Sequence, residues 1–231
     1  MFNLNLIENL PKLEQINSEH GRTYKTPEGN LYPSVTTVLG KMLDKSAIEA
    51  WKQRLGEQEA NRQSKYAADR GTVVHHLCED LLLNRPVSLK GIMPIPLSLY
   101  KQFERTLVKN VDNIRGSELF LYSDKFKVAG STDLIADWNG STSIIDFKTS
   151  GKFKKKEWIE SYFLQCALYS FMLWERTGVI CKQLVVIIGV EMAQEPQIFI
   201  EDPKIWLPKA KELCDSFHKS SLLNSQIGID S

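Results

Sequence analysis

GSTDLIADWNGSTSIIDFKTS, residues 130–150, is the stretch that decides the fold. Apolar residues bracket Asn139-Gly140, a dipeptide that supplies the positive backbone angles of a two-residue hairpin turn. Side chains alternate along a strand, so in Ile144-Ile145-Asp146-Phe147-Lys148 the Asp146 carboxylate and the Lys148 ammonium share one side, with Ile145 and Phe147 on the other. Across the turn, Asp133 reaches the side of Asp146. Two carboxylates and a lysine beside an apolar sheet are costly unless paired or holding a metal. Oxygen ligands of this kind suit magnesium or manganese. A salt-bridged surface hairpin, with Lys148 simply neutralising Asp146, is the other reading of the same residues.

The rest of the composition sets bounds. At 231 residues the chain can bury one sizeable core, and one domain over 1–231 with an inserted helical part is expected rather than two independent domains. A 42% hydrophobic and 25% charged composition is that of a globular protein. The net charge of +1 gives no bulk attraction to nucleic acid, so a binding groove has to be a local basic patch. The opening MFNLNLIENLPKLEQ has neither a basic start nor an uninterrupted apolar run, so no secretory signal is expected. No stretch is apolar enough to span a membrane. Cys78, Cys166, Cys181 and Cys214 are scattered without a CxxC pair, which fits a reducing cytoplasm.

Outward from the hairpin, periodicity predicts an α/β fold, a mixed central sheet flanked by helices. Residues 21–29 read as a short hairpin or ordered loop. Ser34 is placed to cap a short helix. Amphipathic helices are expected over 45–63, on Ile48, Trp51 and Leu55, and over 64–83, where His75 and Glu79 stand four apart on one face. Leu99, Phe103, Leu107, Val111 and Ile114 predict another helix ending at Gly116. Strands are expected at 118–122, 183–190 and, as an edge, 197–200, with helices at 157–177 and 204–222. The helical portion is thus 34–115, the sheet core 116–200 and the C-terminal helix 201–231. Lys152, Phe153, Lys154, Lys155 and Lys156 form a lysine cluster around an aromatic directly after Lys148; it is either a solvated loop or a phosphate-attracting one.

Four motifs in order, RGTVVH (70–75), GSTDLIAD (130–137), IIDFKTS (144–150) and QCALY (165–169), resemble the RecB-like branch of the PD-(D/E)xK nuclease superfamily. Within that branch they are similar to mitochondrial genome maintenance exonucleases and related phage exonucleases, over residues 33–190. The residue before Asp133 is Thr132, where the superfamily's name has proline. The resemblance implies a restriction-endonuclease-like sheet and a metal-dependent exodeoxyribonuclease acting on single-stranded DNA ends. Asp133, Asp146 and Lys148 are the catalytic residues it implies, and His75, Asp133, Asp146 and the carbonyl of Phe147 the ligands of Mg2+ or Mn2+. Gln165 and Tyr169, with Thr149, Ser150, Ser34 and Thr36, are the implied substrate contacts. Glu79, Glu118, Lys152 and Lys154 are further candidates. Some relatives carry a four-cysteine iron–sulfur cluster, which these cysteine spacings do not match. The likeness to phage enzymes makes a phage-encoded protein in a host cytoplasm one expected setting. Against these stand an endonuclease or duplex-end nuclease of the same chemistry, and a non-catalytic nucleic-acid-binding protein on the same fold.

Overall fold

A computed structural model describes residues 1–227. Three short strands, β1 (Glu14–Ser18), β2 (Gly21–Lys25) and β3 (Leu31–Pro33), pair antiparallel into a small sheet. Four helices follow: α1 (Val35–Met42), α2 (Ser46–Leu55), α3 (Glu57–Leu82) and α4 (Pro94–Asn110). The central sheet is then laid down as β4 (Val111–Ser123), β5 (Val128–Trp138) and β6 (Ser141–Ser150). Helix α5 (Glu160–Thr177) crosses to β7 (Gln183–Val190), and β8 (Gln197–Glu201) leads into α6 (Pro203–Ile227).

Strand order is β4-β5-β6-β7-β8, with only the β6–β7 pair parallel. A parallel pair needs a crossover, and α5 is that crossover. Both faces of the sheet are covered. Ile144, Leu184, Val186 and Ile188 pack with α1, α5 and α6 on one face, while Ile145, Phe147, Val185 and Ile187 pack with α3 and α4 on the other. This double burial is why QLVVIIGV shows no polar alternation. Asn139 and Gly140 both have positive φ, 48° and 78°, the backbone of a two-residue turn whose twist matches its strands. That turn sets the register Trp138↔Ser141 through Leu134↔Ile145.

Several boundaries differ from the periodic pattern. The break between the second and third helices falls at Gly56, whose φ of 80° ends α2, and not near Ser64. Val111 and Ile114 keep helical spacing with Leu107, yet they begin β4. Asn113 turns left-handed there, at a bulge between Asp112 and Gly116, and Ile114 hydrogen-bonds the backbone of Asn3 and Asn5. A distant segment of chain thus supplies the partner that makes this stretch extended. Residues 156–158 form a single 3-10 turn before α5. The free cysteines are all buried, Cys78 on the inner side of α3 and the other three on the α5 face.

Candidate active site

The ladder between β5 and β6 stops at Leu134↔Ile145, and the site lies where the two strands part. Past that point the Phe147 amide donates to Asp133 Oδ2 at 2.7 Å, so a side chain replaces the missing backbone partner. From α3, His75 Nε2 donates to the Phe147 carbonyl at 3.0 Å. Its other nitrogen, Nδ1, lies 3.6 Å from Asp133 Oδ1 and 3.7 Å from Glu118 Oε1. One potential ligand atom from each of His75, Glu118 and Asp133 falls within 4.8 Å of the others. Glu118 sits between the pairs Ser117↔Leu134 and Leu119↔Thr132, opposite Asp133, with φ at 50°. A left-handed glutamate costs about 1–2 kcal/mol, strain that directs its carboxylate into the cluster.

Asp146 is 3% exposed and faces the α5 side. Lys148 Nζ lies 2.5 Å from both its oxygens, and Gln165 Nε2 donates to Oδ1 at 3.0 Å. Oδ2 is buried without a well-aligned hydrogen-bond donor. Burial pushes the Asp146 carboxyl up, the Lys148 ammonium opposes this, and the nearby Asp133 charge adds to the rise. Burial alone would lower the Lys148 pKa, but Asp146 and Asp133 hold the ammonium above its ordinary range, so the pair is ionic at neutral pH. His75 follows the same logic: burial disfavours its charge, yet Asp133 and Glu118 raise its pKa to about 9. Charged His75 would thus place a positive charge among these carboxylates when no metal is bound. A cavity of about 500 Å³ opens beside them, lined by Gly71, His75, Glu79, Glu118, Lys148 and Thr149 among others.

A sequence profile of the PD-(D/E)XK nuclease superfamily matches residues 36–219, which contain every residue of this cluster. The chain belongs to the PD-(D/E)XK nuclease superfamily. It is also 28% identical over 141 residues to human mitochondrial genome maintenance exonuclease 1, covering 58% of this chain and 40% of that protein. The chain therefore spans well under half the length of that relative. Superfamily membership supports a nuclease function with a nucleic-acid substrate, and the five-stranded mixed sheet flanked by helices is consistent with a restriction-endonuclease-like fold. Superfamily members generally use divalent metals, and the residues here fit one. The fit rests on one imidazole nitrogen and two carboxylates whose ligand atoms lie within 4.8 Å of one another.

The superfamily motifs do not all lie where the sequence pattern expects. Of the expected ligands, His75 and Asp133 come together with Glu118 in a group that could hold a metal, while Asp146 bonds Lys148 and Gln165 and the Phe147 carbonyl accepts from His75. Tyr169 belongs to the core rather than to the substrate surface: it is 3% exposed and packs on β5, where a Cβ at Gly130 would stand 2.6 Å from its hydroxyl. The Ser34 hydroxyl is buried and caps α1 by accepting from the Thr37 amide at 2.9 Å, which occupies it structurally; Thr36 beside it is exposed. Thr149 Oγ1 accepts from Arg70 Nε, and Ser150 Oγ donates to the Lys152 carbonyl. Glu79 lines the cavity but pairs with Arg85. Lys152 is exposed and Lys154 half-buried. Sequence reasoning missed Tyr162, whose ring lies 5.1 Å from Lys148 Nζ, and Arg70, which bridges Thr149 and Glu191. Tyr162 stands three residues before Gln165 on α5, a spacing that puts both on one helical face.

Proposed function

We propose that this protein is a metal-dependent exodeoxyribonuclease that hydrolyses phosphodiester bonds from single-stranded DNA ends, in DNA replication, recombination or repair. The observation that carries the reading is the gathering of Asp133, Asp146, Lys148, His75 and Glu118 at the parting of β5 and β6. Exonuclease action is supported by the human relative, itself named an exonuclease. The oxygen-rich donor set favours Mg2+ or Mn2+, held by Asp133, Glu118 and His75 with Asp146 alongside. Such a cation, when bound, acidifies a water and screens phosphate charge.

The chain's own groups do the rest. Lys148, kept charged by its carboxylate neighbours, stabilises the negative charge that gathers on the phosphate. An ammonium above its ordinary pKa favours this electrostatic role over service as a general base. Gln165 and Lys148 together fix the Asp146 carboxylate, Gln165 through Oδ1 and Lys148 through both oxygens. His75 is oriented by the Phe147 carbonyl, so Nδ1 faces the carboxylates. Tyr162 bounds the Lys148 ammonium from α5.

The test is digestion of end-labelled linear and circular single-stranded DNA, and of duplex, with magnesium, manganese or chelator, by wild type and Lys148→Ala. The expected result is metal-dependent shortening of linear single strands, intact circles, and no products from folded Lys148→Ala. Cut circles would make it an endonuclease, and preferred duplex digestion a duplex-end nuclease. Binding without cleavage under every condition would leave the non-catalytic reading.

A further inference from the structure

We propose that the loop joining β6 to α5, residues 151–158, is a stacking platform for the single strand next to the cleaved phosphate. The inference rests on the nuclease reading above and adds a binding surface to it. The loop leaves the site at Ser150, two residues after Lys148, and returns to it at α5, where Tyr162 faces the Lys148 ammonium. Both ends are thus anchored beside the catalytic lysine.

Within eight residues the loop exposes two large aromatic rings, Phe153 at 63% and Trp158 at 60%. Four lysines surround them in sequence: Lys152, Lys154, Lys155 and Lys156. Lys155 Nζ lies 5.4 Å from the Trp158 ring centroid and 4.0 Å from Glu157 Oε1, and Lys156 pairs with Glu201. Lys152 and Lys154 have no carboxylate within ion-pair distance among the described residues, so their charges are free for phosphates. Two exposed rings among ammonium groups, with Glu157 the one carboxylate in the loop, suit a single strand, which offers both bases and phosphates.

The backbone beneath these side chains is fixed. Ser150 Oγ donates to the Lys152 carbonyl at 2.6 Å and accepts from its amide at 3.2 Å. The Gln197 side chain clamps Lys154 from β8, its Oε1 accepting from the amide at 2.7 Å and its Nε2 donating to the carbonyl at 2.9 Å. Ile159, fully buried, anchors the far end. A solvated lysine loop has no need of such clamps. A surface that orders a flexible strand does, because a preorganised partner reduces the entropy lost on binding. Lysines with exposed aromatics also suit an anionic membrane surface, but the loop's attachment to Lys148 at both ends favours the nucleic acid.

The test uses the full chain in chelator, with fluorescence anisotropy of a labelled oligothymidylate. Stacking on one ring is worth roughly 5-fold to 150-fold in affinity, so Phe153→Ala and Trp158→Ala should each weaken binding by at least roughly 5-fold. Phe153→Tyr and Trp158→Phe should restore most of it. Lys152→Ala with Lys154→Ala should reduce the salt slope by about 1.4, about 0.7 for each phosphate no longer neutralised. In wild type, tryptophan emission should quench on binding, and that quench should disappear in Trp158→Phe. Melting temperatures confirm that each variant is folded. Wild type that binds while the ring variants match it within two-fold overturns the platform and leaves the nuclease reading intact. Wild type that neither binds nor cuts single strands removes the single-strand reading on which the platform rests, and with it the platform. Ring-dependent binding to phosphatidylserine vesicles without ring-dependent binding to the oligonucleotide assigns the loop to membranes and overturns the proposal.

Discussion

Replacing Lys148 with alanine should destabilise the metal-free protein as well as silence it, because the ammonium is the main counter-charge of a buried carboxylate. Asp146 is 3% exposed, with Lys148 Nζ 2.5 Å from both oxygens and one neutral donor, Gln165 Nε2, at 3.0 Å. Breaking a fully buried pair from one side costs about 3–5 kcal/mol. The Lys148 side chain is 24% exposed, so water can enter behind the truncated side chain, and the cost falls to about 2–3 kcal/mol. In a chain of this size that lowers Tm by roughly 4–12 °C. Asp146→Asn should cost less, since the ammonium left behind reaches solvent. The double variant should recover at least about 1 kcal/mol relative to the sum of the two singles.

The deficit also has a pH signature. Burial already raises the Asp146 pKa, and loss of Lys148 raises it further. A carboxyl raised in the folded state costs stability above its unfolded pKa, increasingly as pH rises to the folded value, so the Lys148→Ala deficit should shrink from pH 8 to pH 5. Urea unfolding of the two singles and the double, in chelator at both pH values, measures all of this. Additivity within about 0.5 kcal/mol, with a deficit independent of pH, would refute the buried ion pair.

Other expectations follow from the same geometry. His75, raised to about 9 in the metal-free protein, contributes stability that is full below its ordinary 6.5 and lost as pH rises to about 9; metal-free unfolding of wild type should show this loss, and His75→Gln should not. Phe147, 2% exposed between His75 and Phe103, should cost about 3–5 kcal/mol when truncated to alanine, seen as a lower urea midpoint at unchanged slope. Glu118→Gly removes a cluster carboxylate but also about 1 kcal/mol or more of left-handed strain. Its metal-free Tm should therefore change little, while the Tm rise produced by manganese is lost; a retained rise would remove Glu118 from the ligand set.

The hairpin was legible because its information is local: Asn139-Gly140 dictates the turn, and alternation then assigns every side chain to a face. The helix Leu99 to Ile114 was overextended because Val111 and Ile114 hold the helical period, while the N-terminal segment that draws them into β4 is distant in sequence. The site was half legible. Motif spacing brought His75, Asp133, Asp146 and Lys148 to one place, but the position of Glu118 beside His75 and Asp133 depends on a positive φ and on how two strands diverge. Gln165 and Tyr169 share a helical face; what spacing omits is depth, and one turn along α5 the face sinks from the Asp146 carboxylate into the core.

The two-residue turn at Asn139-Gly140 carries one more consequence. Because it sets the register that sends Asp146 and Lys148 to one face and Ile145 and Phe147 to the other, an inserted residue that slipped the register would exchange ion pair and core in a single event. Tolerance to insertion must then lie outside this hairpin. A peptide tag can be placed elsewhere on the surface at the expense of a loop; placed here, it would erase fold and chemistry together.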